Sequence, residues 1–300
     1  MGGSGKTPVV AALARLLRQR GERPVILTRG YGRRDATEGV LVVSDGQRVL
    51  ESVERSGDEP QMLARMLSGV PVLVAADRYV AGLFAGRHFA ATVSILDDGF
   101  QHLQLERDVD LLLVSVDDLT DSVVPAGHLR EPLAAAQLAA AVLVSGGEED
   151  FVAVAEALQH PMMFRVKATY GGGAGVPEAL SLEAGANSRV VAFAGIARPE
   201  RFFNALRSLG YEVARELAFP DHHWYTAGDV ARIQAAAREA NAPLIVTTEK
   251  DAVRCDLECV VLPMTVAVEP SAEFEAWLMR RLGSRDSEAV SPKPRRGEGG

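Results

Sequence analysis

Two stretches of the chain and one dispersed set of residues combine residue types and spacings suited to phosphoryl transfer. The first is Gly2-Gly3-Ser4-Gly5-Lys6-Thr7-Pro8. Its Gly5-Lys6-Thr7 end has the form of a phosphate loop, where glycines let successive backbone N–H groups face phosphate oxygens. Lys6 would set a point charge on the β- and γ-phosphates, and the Thr7 hydroxyl would ligate Mg²⁺. Gly2, Gly3, Ser4, Gly5, Lys6 and Thr7 are therefore the expected nucleotide site. Val9, Val10, Leu13, Leu16 and Leu17 then repeat at helical spacing towards Gly21. The N-terminal dipole of such a helix favours an anion. A full phosphate loop also has a glycine five residues before Gly5 and a strand feeding it. Neither lies after Met1, so the sequence is expected to start late or to be truncated. The alternative is a flexible glycine-rich start to an ordinary helix.

The second stretch is Asp97-Asp98-Gly99-Phe100-Gln101-His102, directly after the apolar run Thr92–Leu96. Acidic residues at the end of a buried strand are how phosphate-loop enzymes hold Mg²⁺. Adjacent carboxylates repel unless a cation or proton lies between them. Asp97 and Asp98 are thus expected metal ligands beside Thr7, against the alternative of a surface Asp-Gly turn. His102 would contact phosphate or support the site from behind.

The third set is dispersed. Gly57-Asp58-Glu59-Pro60 reads as a helix start with Asp58 as N-cap, which would also fix its carboxylate in direction. Arg29-Gly30-Tyr31-Gly32-Arg33-Arg34 suits an anionic or sugar-bearing ligand, or is an exposed basic turn. Arg130, in Gly127–Pro132, could clamp a transferring phosphoryl group, although surface arginines before helices are common. Asp221-His222 has the form of an oriented acid–base pair, or of a capped helix start with surface histidines.

The elements that must position these residues alternate. Strands are expected at Pro24–Thr28, Val40–Val43, Val70–Val74, Thr92–Leu96, Asp110–Ser115 and Ala141–Ser145, with helices at Glu59–Leu67, Arg78–Phe89 and Pro132–Ala139. Such alternation implies an α/β fold: a mostly parallel, P-loop NTPase-like sheet flanked by helices, with ligands at the carboxyl ends of strands. A glycine-rich stretch at Tyr170–Gly175 precedes a second, smaller α/β unit, with strands Arg189–Ala194 and Leu244–Thr247, the latter followed by the polar cluster Thr248-Glu249-Lys250-Asp251. The expected division is a nucleotide-binding domain over 1–168, a linker region over 169–188, a C-terminal domain over 189–283 and a disordered tail over 284–300.

Composition excludes other classes. A net charge of −8 argues against a broad nucleic-acid-binding face. The two cysteines, Cys255 and Cys259, are too few for a disulfide framework and have no zinc-spaced partners, which fits a reducing cytosol. No apolar run of membrane-spanning length occurs. Peripheral membrane contact remains open.

In order along the chain, the motifs resemble those of the tetraacyldisaccharide 4′-kinase family of lipid A biosynthesis. The matching pieces are Gly-Gly-Ser-Gly-Lys-Thr-Pro at 2–8, Thr-Arg-Gly-Tyr-Gly-Arg at 28–33, Gly-Asp-Glu-Pro at 57–60, Ala-Asp-Arg at 76–78 and Asp-Asp-Gly-Phe-Gln-His at 97–102. Leu-Arg-Glu-Pro at 129–132, Ala-Gly-Ile-Ala-Arg-Pro at 194–199, Phe-Pro-Asp-His-His at 219–223 and Thr-Thr-Glu-Lys-Asp-Ala at 247–252 continue the series. The resemblance implies transfer of the ATP γ-phosphoryl group to the 4′-hydroxyl of a lipid disaccharide 1-phosphate. It implies ATP and Mg²⁺ as cofactors, Asp58 as base with His222 sharing its proton and setting its orientation, and Arg130 neutralising developing charge. Arg29 and Tyr31 would lie on the lipid-disaccharide side, with Glu59, Arg78 and His102 lining the cleft between the two halves. It also implies a cytoplasmic protein held peripherally on the inner face of the inner membrane, and an apolar N-terminal segment upstream. The competing reading is a partitioning-type nucleotide-switch ATPase, whose loops also read Gly-Gly-x-Gly-Lys-Thr but carry a further lysine five residues before the shared one. Met1 stands there.

Overall fold

The computed structural model describes residues 5–35, 38–102, 104–171 and 188–283. Gly2, Gly3 and Ser4, most of the expected linker (172–187) and the expected tail (284–300) lie outside the described residues.

Helix α1 (Lys6–Gln19) starts at Gly5, whose φ of 78° is left-handed, and buries residues on two faces. Val10, Ala11 and Ala14 pack on a sheet that contains β1 (Pro24–Thr28), β2 (Leu41–Ser44), β3 (Val72–Val74) and β4 (Val93–Leu96). The strand order is β2-β3-β1-β4, and only β2–β3 is antiparallel. Between these strands run the short α2 (Val53–Ser56), α3 (Asp58–Met66) and α4 (Arg78–Phe89). The Asp77 carboxylate caps α4 by accepting from the N–H groups of Tyr79 and Val80.

The other face of α1, with Val9, Leu13 and Leu17, packs on a second sheet. Its strands β5 (Leu111–Ser115), β6 (Ala141–Ser145) and β7 (Met163–Tyr170) are parallel, with α5 (Glu148–Leu158) between β6 and β7. The Pro132–Ala139 segment, expected as an α-helix, forms a 3₁₀ turn over Leu133–Leu138. Ala136 is its one buried residue, so it lacks the apolar stripe that holds a longer helix to a core.

A third sheet, ordered β11-β10-β8-β9, is wholly parallel. It contains β8 (Arg189–Ala194), β9 (Glu212–Ala218), β10 (Leu244–Thr248) and β11 (Val260–Leu262), joined through α6 (Pro199–Ser208), α7 (Ala227–Glu239) and the short α8 (Glu249–Ala252). The chain then returns. β12 (Met264–Glu269) pairs antiparallel with β7, and α9 (Ser271–Gly283) puts Phe274, Trp277 and Leu278 against Val9, Leu13 and Leu17 of α1. Residues 264–283, grouped with the C-terminal unit in the sequence reading, thus pack on the sheet of β5–β7. The sequence reading missed β7 and β12 as a pair because their contact spans about a third of the chain. The overall class is the expected one: α/β, mostly parallel, flanked by helices, with a second smaller α/β unit.

Candidate active site

The carboxyl ends of the strands face a cleft. Gly5, Lys6, Thr7, Glu59, Arg78, Asp97, Asp98 and Arg130 line it from the first unit, and Ile196–Arg198, Asp221 and Lys250 line it from the second.

On the nucleotide side, Lys6 Nζ lies 2.9 Å from Asp98 Oδ1, and Arg130 Nη1 lies 2.6 Å from Asp98 Oδ2. Burial would raise the Asp98 pKa, but these two cations hold it below the ordinary carboxylate value. Its backbone is left-handed, with φ of 57°. Asp97 behaves differently. Burial, with Glu59 nearby, pushes its carboxyl up to about 7. A divalent cation there would relieve both the desolvation and the repulsion. The Thr7 hydroxyl and the two carboxylates are hard oxygen donors of the kind Mg²⁺ takes alongside phosphate and water. The residues present therefore fit that ion. No group of three or more His, Cys, Asp or Glu that could hold a metal ion occurs among the described residues.

Across the cleft, Asp58 is buried at 5% exposure and opens α3. The cap position belongs to Gly57, so the N-cap role considered for Asp58 does not apply. Gly57 has φ of 89°, and a Cβ there would lie 2.9 Å from the Tyr31 carbonyl oxygen. This glycine lets the Arg29–Arg34 turn close on the helix start. Asp58 Oδ1 accepts from the Glu59 N–H at 3.0 Å. Oδ2 lies 2.8 Å from His222 Nδ1, 3.4 Å from Arg254 Nη1 and 4.0 Å from Lys250 Nζ. None of these contacts is aligned as a hydrogen bond in the resting geometry. Catalytic contacts commonly tighten only in the substrate complex. Burial favours the neutral acid, yet His222, Lys250 and Arg254 together keep the Asp58 pKa below its usual value.

His222 follows β9 on a loop drawn against the end of β8. Its N–H donates to the Gly195 carbonyl at 3.2 Å, and its φ is 59°. A side chain at Gly195 would meet Pro220 O at 3.0 Å and both Asp251 and Tyr225 at 3.1 Å. Five non-glycine residues have positive φ among the described residues: Ala90, Asp98, Gln159, His222 and Asn241. Ala90 and Gln159 cap helices, and Asn241 follows the cap of α7. Asp98 and His222 are the two at the cleft, where strained backbone commonly aims a functional side chain.

Arg254, missed in the sequence reading, is anchored by Asp251, whose Oδ1 lies 2.8 Å from its Nη2 and also accepts from Tyr225 at 3.0 Å. The signal was its position three residues after Asp251, on the same face of the turn that follows β10. Arg78 is buried and donates to the carbonyls of Ala75 and Ala76, with its Nε unpartnered among the described residues. Partial burial and the nearby guanidinium groups of Arg78, Arg29 and Arg107 hold the His102 pKa down. Tyr31 is 78% exposed. Arg34, from the same turn, stacks 4.1 Å from the Trp224 ring of the second unit.

A family model described as LpxK, tetraacyldisaccharide-1-P 4′-kinase, matches residues 1–283. The chain belongs to this family. A tetraacyldisaccharide 4′-kinase from Syntrophus aciditrophicus is 39% identical over 94% of this chain and 81% of its own length. The enzyme of that name from Geobacter metallireducens is 42% identical over 85% of this chain and 75% of its own. Among solved structures, LpxK from Aquifex aeolicus in complex with ATP is 31% identical, with a TM-score of 0.72 over 94% of this chain and 85% of that one. The chain is accordingly an ATP-dependent kinase of lipid A biosynthesis, and the nucleotide-switch reading is not favoured. Among the described residues no helix is long and apolar enough to cross a membrane.

Proposed function

We propose that this kinase moves the γ-phosphoryl group of ATP to the 4′-hydroxyl of tetraacyldisaccharide 1-phosphate with Asp58 as the base. The observation that carries the proposal is the buried Asp58 carboxylate, fixed at Oδ1 by the Glu59 N–H and facing His222 with Oδ2, directly behind Glu59 and Lys250, which line the cleft together with Lys6, Asp98 and Arg130. Phosphoryl transfer through a loose transition state needs in-line positioning and charge neutralisation more than covalent help. Asp58 would receive the hydroxyl proton. His222 would orient the carboxylate. Lys6 and Arg130, which share Asp98 in the resting site, would turn to the β- and γ-phosphates as nucleotide enters. Thr7, Asp97 and Asp98 would hold Mg²⁺, which neutralises phosphate charge and helps to align the transferring group.

Gly2, Gly3, Ser4 and Gly5 would cradle phosphate with their N–H groups. Arg29, Tyr31 and His102 would face the anionic disaccharide. Glu59 and Arg78 would set the field around Asp97. The acceptor is a membrane lipid, so the kinase would work peripherally on the cytoplasmic face of the inner membrane, without nucleic-acid partners. Closure of the second unit on the first would exclude water and limit ATP hydrolysis.

The test is transfer of γ-labelled phosphate from ATP to tetraacyldisaccharide 1-phosphate in detergent micelles, with wild type and Asp58→Asn compared. Labelled lipid from wild type, reduced about 10²-fold or more in the variant, supports the assignment. Equal rates from both would remove Asp58 from the chemistry.

A further inference from the structure

Arg107 has no part in the mechanism above, yet each of its five N–H donors has a partner. Nε lies 2.6 Å from Asp110 Oδ1 and Nη2 lies 3.2 Å from Asp110 Oδ2, a two-pronged grip on one carboxylate. Nη1 donates to the carbonyls of His102 at 2.5 Å and Leu105 at 3.0 Å, and Nη2 donates to that of Phe100 at 3.4 Å. The side chain is 15% exposed. Asp110 stands directly before β5, and its carbonyl accepts from the N–H groups of Ala140 and Ala141 at the foot of β6. The guanidinium group thus ties the chain that follows Asp97-Asp98 to the foot of the β5–β6 sheet. Two of the carbonyls it holds, those of Phe100 and His102, flank Gln101. Gln101 is exposed, and its Oε1 accepts from Arg130 Nη1 at 3.2 Å. The same Nη1 lies 2.6 Å from Asp98 Oδ2.

We infer that Arg107 is a positioning residue of this kinase: by holding the backbone on both sides of Gln101 it aims the Gln101 amide oxygen at Arg130, and so keeps that guanidinium group turned into the cleft. The inference rests on the phosphotransfer reading for its catalytic consequence. Asp98 and Gln101 hold Arg130 in different ways. Asp98 is charged, and under that reading it turns to Mg²⁺ once nucleotide enters. Gln101 is neutral and has no place among the proposed metal or phosphate ligands. Its bond to Arg130 therefore survives the exchange and leaves the other guanidinium N–H groups for phosphate oxygens. A glutamine side chain aims its oxygen only when its backbone is fixed. Without Arg107 the carbonyls of Phe100, His102 and Leu105 lose their common partner, and the Gln101 side chain loses its fixed origin. Lysine cannot take over this task, because an ammonium group offers three donors from one point where arginine offers five in a planar fork.

The test combines steady-state kinetics on the full chain with ¹⁵N–¹H correlation of the arginine side chains. It compares wild type, Arg107→Met, Arg107→Lys, Gln101→Ala, Gln101→Glu and the double variant Arg107→Met/Gln101→Ala. The Arg130 Nε–H signal is assigned by its loss in Arg130→Lys, and thermal unfolding checks that each variant folds. Arg107→Met and Gln101→Ala should each lower kcat about tenfold, with the Kd for MgATP, read by calorimetry, unchanged within about twofold. The double variant should match the slower single variant within about twofold, because both losses act through one guanidinium group. Gln101→Glu keeps an oxygen opposite Arg130 and should regain part of the kcat lost in Gln101→Ala. The Arg130 signal should shift alike in Arg107→Met and Gln101→Ala. Arg107→Lys keeps the charge and the packed stem; it should behave as Arg107→Met and decides the matter if the methionine variant does not fold. Losses that multiply in the double variant, or an Arg130 signal unmoved by the loss of Arg107, overturn the inference. So does a weakening of MgATP binding in step with kcat, which would make Arg107 a support of the Asp97-Asp98 metal site. If the Arg130 signal shifts as expected but wild type transfers no phosphate to the lipid, the phosphotransfer reading fails and the positioning of Arg130 survives.

Discussion

His222 Nδ1 stands 2.8 Å from Asp58 Oδ2, although the two residues come from different units of the fold. The base is therefore complete only when the units are docked. Burial would raise the Asp58 pKa, but His222, Lys250 and Arg254 lower it below 3.8. A depressed carboxylate adds stability that is present above its unfolded pKa and is lost as pH falls through the folded one. Asp58 should thus be ionised throughout the working range and give no acid limb in kcat/KM above about pH 5. His222→Ala removes the largest stabilising partner and leaves the desolvation. Its acid limb should move up into the measurable range, as a pH profile of kcat/KM would show. A variant profile that overlays wild type would count against the pairing.

Asp98 holds two cations, Lys6 and Arg130, that the proposed reaction needs on phosphate. The three side chains are 36–41% exposed, so these pairs contribute little stability, about 0–1 kcal/mol each. Asp98→Asn should leave thermal unfolding nearly unchanged in the absence of nucleotide. MgATP binding, measured by calorimetry, should weaken tenfold or more as the acidic metal ligand is lost. Unchanged MgATP affinity would remove Asp98 from the metal site.

Asp97 has the opposite sign. Its pKa is raised to about 7, chiefly by burial, with Glu59 adding to it. A raised group contributes stability below its unfolded pKa, and that stability is lost as pH climbs through the folded value. In EDTA, stability should therefore fall between about pH 5 and pH 8 from this group. Asp97→Asn should flatten that dependence and raise Tm at pH 8 by a few degrees, while lowering kcat by about 10²-fold or more. Paired thermal melts at the two pH values check the first part. Equal pH dependence in wild type and variant would contradict the burial argument.

Gly57→Ala tests the seat of the base. The φ of 89° and the 2.9 Å approach to Tyr31 O leave no room for a methyl group without backbone movement. The strain should cost about 1–3 kcal/mol. Because Asp58 is the next residue, kcat should fall while KM for MgATP holds. A variant with wild-type Tm and kcat would show that the turn yields freely.

The sequence revealed most where local chemistry was strong. Pro24–Thr28 and Ala141–Ser145 form the expected strands because their runs are apolar enough to be buried on both faces. Arg78–Phe89 follows a capping Asp77 and forms the expected helix. β9 was missed because Glu212–Ala218 lies at a sheet edge and carries charged residues. The cluster at Asp97-Asp98 read as a cation site, but its sequence cannot tell that Asp98 already binds Lys6 and Arg130 while Asp97 leans towards neutrality. Arg254 left a fainter trace. Its partner Asp58 lies far away in sequence, and only the spacing from Asp251 hints at an anchored guanidinium group.

The return of the chain over residues 264–283 carries the last prediction. β12 covers the outer edge of β7, and α9 buries Phe274, Trp277 and Leu278 against α1, the helix that presents Lys6 and Thr7. Phe164 of β7 meets Phe274 edge-on, with centroids 5.0 Å apart. Losing a buried aromatic side chain of this size costs about 3–5 kcal/mol. Trp277→Ala should therefore lower Tm markedly and weaken MgATP binding, although Trp277 packs on Phe164 and Phe274 and does not line the cleft. Phe203→Ala, a comparable loss in the core of the second unit, should lower stability while leaving MgATP binding within about twofold, since its neighbours are β8, β10 and β11. Calorimetric titration of MgATP into both variants, below their melting temperatures, separates the two cases. Equal weakening in both would mean that the second unit, and not α9, supports the phosphate loop.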